Sequence, residues 1–149
     1  MAETIADREI VVTRVIDAPR ELVFEAFTEQ KHAENWWIPK GTTREWNAQP
    51  GGLWRYSQPG PGSAELAFRI KFVEIDKPNR FVYEFGTDAE DAPDPVLTTV
   101  TFEDQDGKTK VTLQLVFATA AAKQENAKYG AEKGARLALD NLANYVAGL

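Results

Sequence analysis

The sequence has no cysteine and only one histidine, His32. Without cysteine the chain can form no disulfide, no thiolate metal site and no cysteine nucleophile. One histidine excludes a histidine-based catalytic triad and a multi-histidine metal site within one chain, and His32 itself is expected on the surface of a helix. The two serines, Ser57 and Ser63, lie in no nucleophile-elbow motif. The sequence therefore predicts no catalytic residue, no metal and no cofactor.

Long apolar runs and clusters of basic residues are also lacking. No apolar run approaches the ~20 residues that a membrane-spanning helix needs, and Met1–Arg8 has no apolar region typical of a secretory signal. Acidic residues number 23 against 17 basic ones, which gives a formal net charge of −6. Because phosphate binding requires clustered Lys and Arg, neither nucleic acid nor an anionic membrane is expected as a partner. We expect a cytoplasmic protein.

The chain is long enough for one domain, which we expect to span residues 1–149. A strand is predicted over Arg8–Ile16, where apolar residues alternate. Pro19 then fits the first turn of a helix that ends near Thr28, and a second short helix is predicted over Lys31–Asn35.

From Thr42 onward the apolar residues follow the period of two that is typical of strands. Asp106-Gly107 predicts a hairpin turn between the last two strands. The acidic segment Asp88–Pro95 reads as a solvated loop, and its spacing matches no calcium site. The remainder, about Ala120–Ala147, is predicted as one long helix. This order of elements indicates an α+β fold with the helix across one face of an antiparallel sheet.

The predicted helix carries a stripe of small residues toward the sheet, including Ala131, Gly134 and Ala138. Two interpretations remain open. In the first, the small residues let the helix and the sheet approach closely. In the second, a curved sheet leaves a cavity beside them. Four tryptophans fall within Trp36–Trp54, and indoles suit either a ligand site or a core.

Arg14 interrupts an otherwise apolar strand face, so its guanidinium must pair with a carboxylate, reach the rim or anchor a ligand. Three residues are candidates for polar contacts with a ligand: Tyr83, Tyr129 and Arg14. Seven aromatic residues are candidates for the wall of a cavity: Trp36, Trp37, Trp54, Tyr56, Phe68, Phe85 and Phe117.

Five segments carry a resemblance to a known family: RVIDAPRELVFEAFT, HAENWWIPKG, QPGGLWRY, FVEIDKPNRFVYEF and ALDNLANYV. Over nearly the whole chain the sequence resembles the activator of Hsp90 ATPase homologue 1-like (AHSA1-like) branch of the START/Bet v 1 (SRPBCC) superfamily. The resemblance implies a helix-grip fold, in which a curved antiparallel sheet surrounds a long C-terminal helix, with two short helices after the first strand and a hydrophobic cavity. Similar sequences often carry a Gly-Trp pair in the final helix, where this chain has Gly134-Ala135.

Superfamily members bind lipids, hormones and polyketides, and some are cyclases or hydrolases. We therefore expect binding of a small hydrophobic or amphipathic molecule. The alternatives are an enzyme of the cyclase or hydrolase type, which would use a pocket carboxyl or phenol, and a chaperone (Hsp90)-interaction or stress-response module. The family is also compatible with a homodimer.

Overall fold

The computed structural model describes residues 4–37, 42–59, 65–89, 94–128 and 130–149. Within these residues, a short 3-10 turn at Ile5–Arg8 is followed by seven strands and four helices. The strands are β1 (Glu9–Ile16), β2 (Thr43–Trp46), β3 (Leu53–Pro59), β4 (Glu65–Asp76), β5 (Arg80–Thr87), β6 (Val96–Gln105) and β7 (Lys108–Val116). The helices are α1 (Arg20–Thr28), α2 (Gln30–Ala33), α3 (Ala120–Lys128) and α4 (Ala131–Ala147).

The strands form one curved antiparallel sheet in the order β1-β7-β6-β5-β4-β3-β2. The predicted hairpin between β6 and β7 is confirmed, and Asp106 and Gly107 have the positive φ angles, 54° and 85°, that a tight two-residue turn needs. The alternation of apolar residues changes parity after Val73 and Ile75, which predicts a bulge in β4, and a register shift between Phe72 and Glu74 confirms it. The sheet curves around α4, as the helix-grip fold requires.

The C-terminal helical region differs from its prediction. One helix was expected over Ala120–Ala147, but the structure has two, α3 and α4. Gly130 precedes α4 with a φ of 81°, and this left-handed conformation ends the regular hydrogen-bonding pattern of a helix. The sequence also predicts Thr119 as the N-terminal cap of this region, and the structure confirms it, since the Ala122 amide donates to the Thr119 hydroxyl at 3.0 Å.

The two glycines of this region should respond in opposite ways to substitution by alanine. At Gly134, inside α4, a Cβ atom would meet nothing within 4 Å, so Gly134→Ala should stabilise the fold by about 0.5–1 kcal/mol. Gly130→Ala should destabilise it because alanine is strained at positive φ. Urea unfolding of both variants measures this, and stabilisation by Gly130→Ala would contradict the observed helix break.

The densely packed part of the core lies between α1, the central strands and α4. Phe24 and Phe27 of α1 pack edge-on against Phe102 at centroid distances of 5.1 and 5.5 Å. From α4, Leu139 and Leu142 complete this region and are at most 2% exposed. Burial of these side chains is what attaches α4 to the sheet.

Several loop predictions need correction or fall outside the described residues. The second helix covers Gln30–Ala33, slightly earlier than expected. Asp88 is not a solvated loop acid: its side chain is 12% exposed and lies 2.8 Å from Arg55 and 3.8 Å from Arg69. The sequence also predicts a turn at Pro59-Gly60-Pro61-Gly62, of which residues 60–62 are outside the described residues, as are residues 90–93 of the acidic loop. Among the residues described, no helix is long and apolar enough to cross a membrane.

Candidate functional site

A cavity of about 570 Å³ lies between the inner face of the sheet and the first half of α4. It has the size typical of small-molecule sites, roughly 300–1,000 Å³. Of the two interpretations of the small-residue stripe, the structure supports the open one, because Ala131, Gly134 and Ala138 all line this space. The sheet contributes its part of the lining from β3, β5, β6 and β7.

The cavity has a closed side and an open side. On the sheet side Tyr56 is 2% exposed and Thr98 is 3% exposed. On the helix side Leu137 is 58% exposed, and Gly134 and Asn141 are exposed as well. A ligand would therefore enter along α4 and reach the sheet at the bottom of the cavity.

Two neighbouring indoles form one end of the wall. Trp36 and Trp37 stack at a centroid distance of 5.3 Å, and Trp37 meets the Tyr83 ring edge-on at 5.3 Å. The Trp36 indole N–H donates to the Ala26 carbonyl of α1 at 2.9 Å. Because that hydrogen bond holds the first indole, its apolar face remains directed to the cavity and its polar group is satisfied.

Two phenols supply the ionisable groups of the described wall. Burial raises the pKa of Tyr56 well above its usual range, and the neighbouring Tyr83 raises it further. Burial likewise raises the pKa of Tyr83, an effect that the Thr98 hydroxyl opposes only in part. Both phenols therefore remain protonated and neutral across the physiological pH range.

The structure brings most of the predicted wall residues together. Five of the seven line the cavity: Trp36, Trp37, Tyr56, Phe85 and Phe117. Tyr83, predicted as a polar contact, lines it as well. Phe68 stacks on Phe85 at 5.5 Å and lines an adjacent cavity of about 360 Å³, which shares Phe85 and Phe117 with the first.

Two predicted residues are placed elsewhere, and a third lies outside the described residues. Trp54 lies behind the wall, fully buried between Trp37 and Trp46, and its indole N–H donates to the Thr43 hydroxyl at 3.1 Å. Arg14 forms an ion pair with Asp140 at the surface of α4 and does not line the cavity. Tyr129 is outside the described residues.

Sequence reasoning missed most of the polar wall. Four neutral polar residues that it did not name line the cavity: Gln58, Thr98, Asn126 and Asn141. The alternation of β3 and β6 contained the signal for the first two, because Gln58 follows Tyr56 on the same face and Thr98 precedes Val100. The two asparagines gave no comparable signal, since amides on a helix usually face solvent.

His32 is tied to α4 and is not a free surface residue. Its Nδ1 atom lies 2.7 Å from the Tyr145 hydroxyl, and the side chain is half-buried. Within the described ranges, no group of three His, Asp or Glu residues is arranged to hold a metal ion.

A depression of about 500 Å³ also lies on the outer face of the sheet, where Arg69, Lys71 and Glu84 line it.

Solved structures with the same fold come from several bacteria. A solution NMR structure from Arthrobacter aurescens superposes with a TM-score of 0.84 at 19% identity, covering 99% of this chain and 91% of that one. A solution NMR structure from Staphylococcus epidermidis has a TM-score of 0.79 at 26% identity and covers 95% and 90%. A crystal structure from Mycobacterium smegmatis has a TM-score of 0.79 at 23% identity and covers 95% and 91%.

The sequence comparison adds the family. No protein with a curated description matches the sequence. A family model described as activator of Hsp90 ATPase homolog 1-like protein matches residues 17–147, which include every helix of the structure and all but the first strand. The chain therefore belongs to the activator of Hsp90 ATPase homolog 1-like family, whose members share this helix-grip fold of the SRPBCC superfamily.

Proposed function

We propose that this protein binds a small apolar or amphipathic molecule in the cavity between the sheet and α4. The observation that carries the proposal is the cavity itself, about 570 Å³ in size and bounded by two indoles, two phenols and several apolar side chains. The space is open to solvent along α4 and closed by buried side chains at the sheet, which is the concave shape typical of small-molecule sites. Most of the wall is apolar, and its burial by a ligand would drive binding.

The small residues of α4 support the same proposal. Gly134 costs the helix about 1 kcal/mol relative to alanine, and the structure contains no neighbour that a Cβ atom there would strike. Close packing therefore does not explain this glycine. Space for a ligand does explain it, because every added side-chain atom at this position would reduce the volume of the cavity or narrow its mouth.

The enzymatic alternative receives less support from the wall. Acid–base catalysis needs a group whose pKa is near the working pH. Among the described residues that line the cavity, the ionisable groups are Tyr56 and Tyr83, and burial moves the pKa of each further from neutrality. The Hsp90-contact alternative rests on the family's name. The cytoplasmic location, the homodimer and the stress-response role stay predictions.

Titration with N-phenyl-1-naphthylamine, a neutral apolar fluorophore, tests the proposal. Because Trp36 and Trp37 form part of the wall, a probe in the cavity should accept energy from their indoles, quench tryptophan emission and brighten its own. We expect saturation at one probe per chain, with the same stoichiometry in native mass spectrometry. A linear, non-saturating signal and no retained probe would contradict the proposal.

A further inference from the structure

The cavity wall is polar in places but carries no charge among the described residues. Six neutral polar side chains take part: Tyr56, Gln58, Tyr83, Thr98, Asn126 and Asn141. A carboxylate or an ammonium group that entered this space would lose its hydration, and the described wall offers no opposite charge to replace it. A ligand with a buried charge is therefore disfavoured.

Tyr56 presents a hydrogen-bond donor to the cavity. The residue is 2% exposed and lines the space. Burial holds the phenol in its protonated form, so it remains a donor. A ligand oxygen within reach of this hydroxyl would gain a neutral hydrogen bond at the least exposed side of the cavity.

The charge beside the cavity also disfavours anions. The adjacent 360 Å³ cavity shares Phe85, Val96, Phe117 and Asn126 with the main one, so the two lie side by side along this wall. Asp94 is the charged residue on the described part of the adjacent wall, and it is exposed. Together with the net charge of −6, this carboxylate repels an approaching anion.

From these observations we infer that the cavity selects an uncharged, ring-bearing molecule whose oxygen accepts a hydrogen bond from Tyr56, and that it rejects the corresponding carboxylate. The rings would pack against the aromatic wall formed by Trp37, Tyr83 and Phe85. This inference rests on the proposed function and narrows it to one chemical class of ligand.

Three naphthalenes of nearly equal size separate the contributions of charge and hydrogen bonding. 2-Acetylnaphthalene is neutral and has a carbonyl acceptor, 2-naphthoate has the same number of non-hydrogen atoms but is anionic, and 2-ethylnaphthalene has no acceptor. At neutral pH, we expect calorimetry or tryptophan quenching to give the ketone an affinity roughly tenfold or more above that of the carboxylate.

The variant Tyr56→Phe removes the hydroxyl and keeps the ring. It should weaken binding of 2-acetylnaphthalene by roughly threefold to tenfold, the effect of losing one neutral hydrogen bond. Binding of 2-ethylnaphthalene should be unchanged, and that probe also shows that the cavity of the variant is intact. If the variant folds poorly, the comparison of ketone and carboxylate on the natural chain still decides the charge selectivity.

The possible failures are distinguishable. Equal binding of ketone and carboxylate, or tighter binding of the carboxylate, would overturn the inference while the proposed function stands. Equal loss of 2-acetylnaphthalene and 2-ethylnaphthalene in Tyr56→Phe would overturn the role of the hydroxyl. If none of the three probes bound the natural chain, the proposed function would fail together with the inference.

Discussion

Replacing Trp54 by alanine should lower the free energy of unfolding by about 3–5 kcal/mol, which is most of the stability of many small domains. Trp54 is fully buried and contacts Trp37, Trp46 and Tyr56 at ring centroid distances of 4.8–5.0 Å. The substitution would leave a void that these rigid rings cannot fill, and it would remove the hydrogen bond to Thr43. Urea or thermal unfolding followed by circular dichroism measures the loss.

Trp37→Ala is the matched control because this indole is partly exposed and lines the cavity directly. We expect a clearly smaller loss of stability there and a larger effect on probe binding. If the two substitutions destabilised the fold equally, Trp54 would not be packed more tightly than Trp37, which would contradict its position behind the cavity wall. Trp54→Phe, which keeps most of the buried volume, should retain probe binding.

Filling the cavity from α4 should abolish ligand binding. Ala135 is 8% exposed and lines the cavity, so the indole introduced by Ala135→Trp would occupy space that the ligand needs. The substitution also restores the Gly-Trp pair found in similar sequences. We expect the affinity for N-phenyl-1-naphthylamine to fall by roughly tenfold or more, since a ligand that must displace an indole loses most of its apolar contact.

The control for this substitution lies on the same helix. Asn144 is exposed and does not line the cavity, so Asn144→Trp adds the same side chain without reducing the volume. Its affinity for the probe should match that of the natural chain. If Ala135→Trp destabilises α4, Ala138→Phe offers a smaller obstruction of the same space. Unchanged affinity in both cavity-filling variants would place the probe elsewhere.

The fold could be predicted from sequence because its main signals are local. Alternation places Tyr56, Tyr83 and Phe85 on the inner face of the sheet, and Asp106-Gly107 sets one hairpin. Alternation identifies which residues of a strand point to the inner face of the sheet, but it does not show which of those residues reach the cavity. For that reason it could not distinguish Tyr56, on the cavity wall, from Trp54, two residues earlier and behind it.

The remaining features depend on contacts between distant parts of the chain. Arg14 lies on the same face of β1 as the buried residues of that strand. Because β1 is an edge strand beside α4, the guanidinium can pair with Asp140, which is 126 residues away in the sequence. The helix break at Gly130 was missed for a different reason. Glycine lowers helix propensity wherever it occurs, but only the backbone reveals that Gly130 has positive φ while Gly134 is helical.

The most direct test of the central claim is a map of backbone amide chemical shifts in the ¹⁵N-labelled protein during titration with 2-acetylnaphthalene. If the cavity between the sheet and α4 is the binding site, the largest shifts should fall on residues that face it from both sides, such as Thr98, Leu113, Gly134 and Ala138. Shifts centred instead on Arg69, Lys71 and Glu84 would place the ligand in the outer-face depression and contradict the claim.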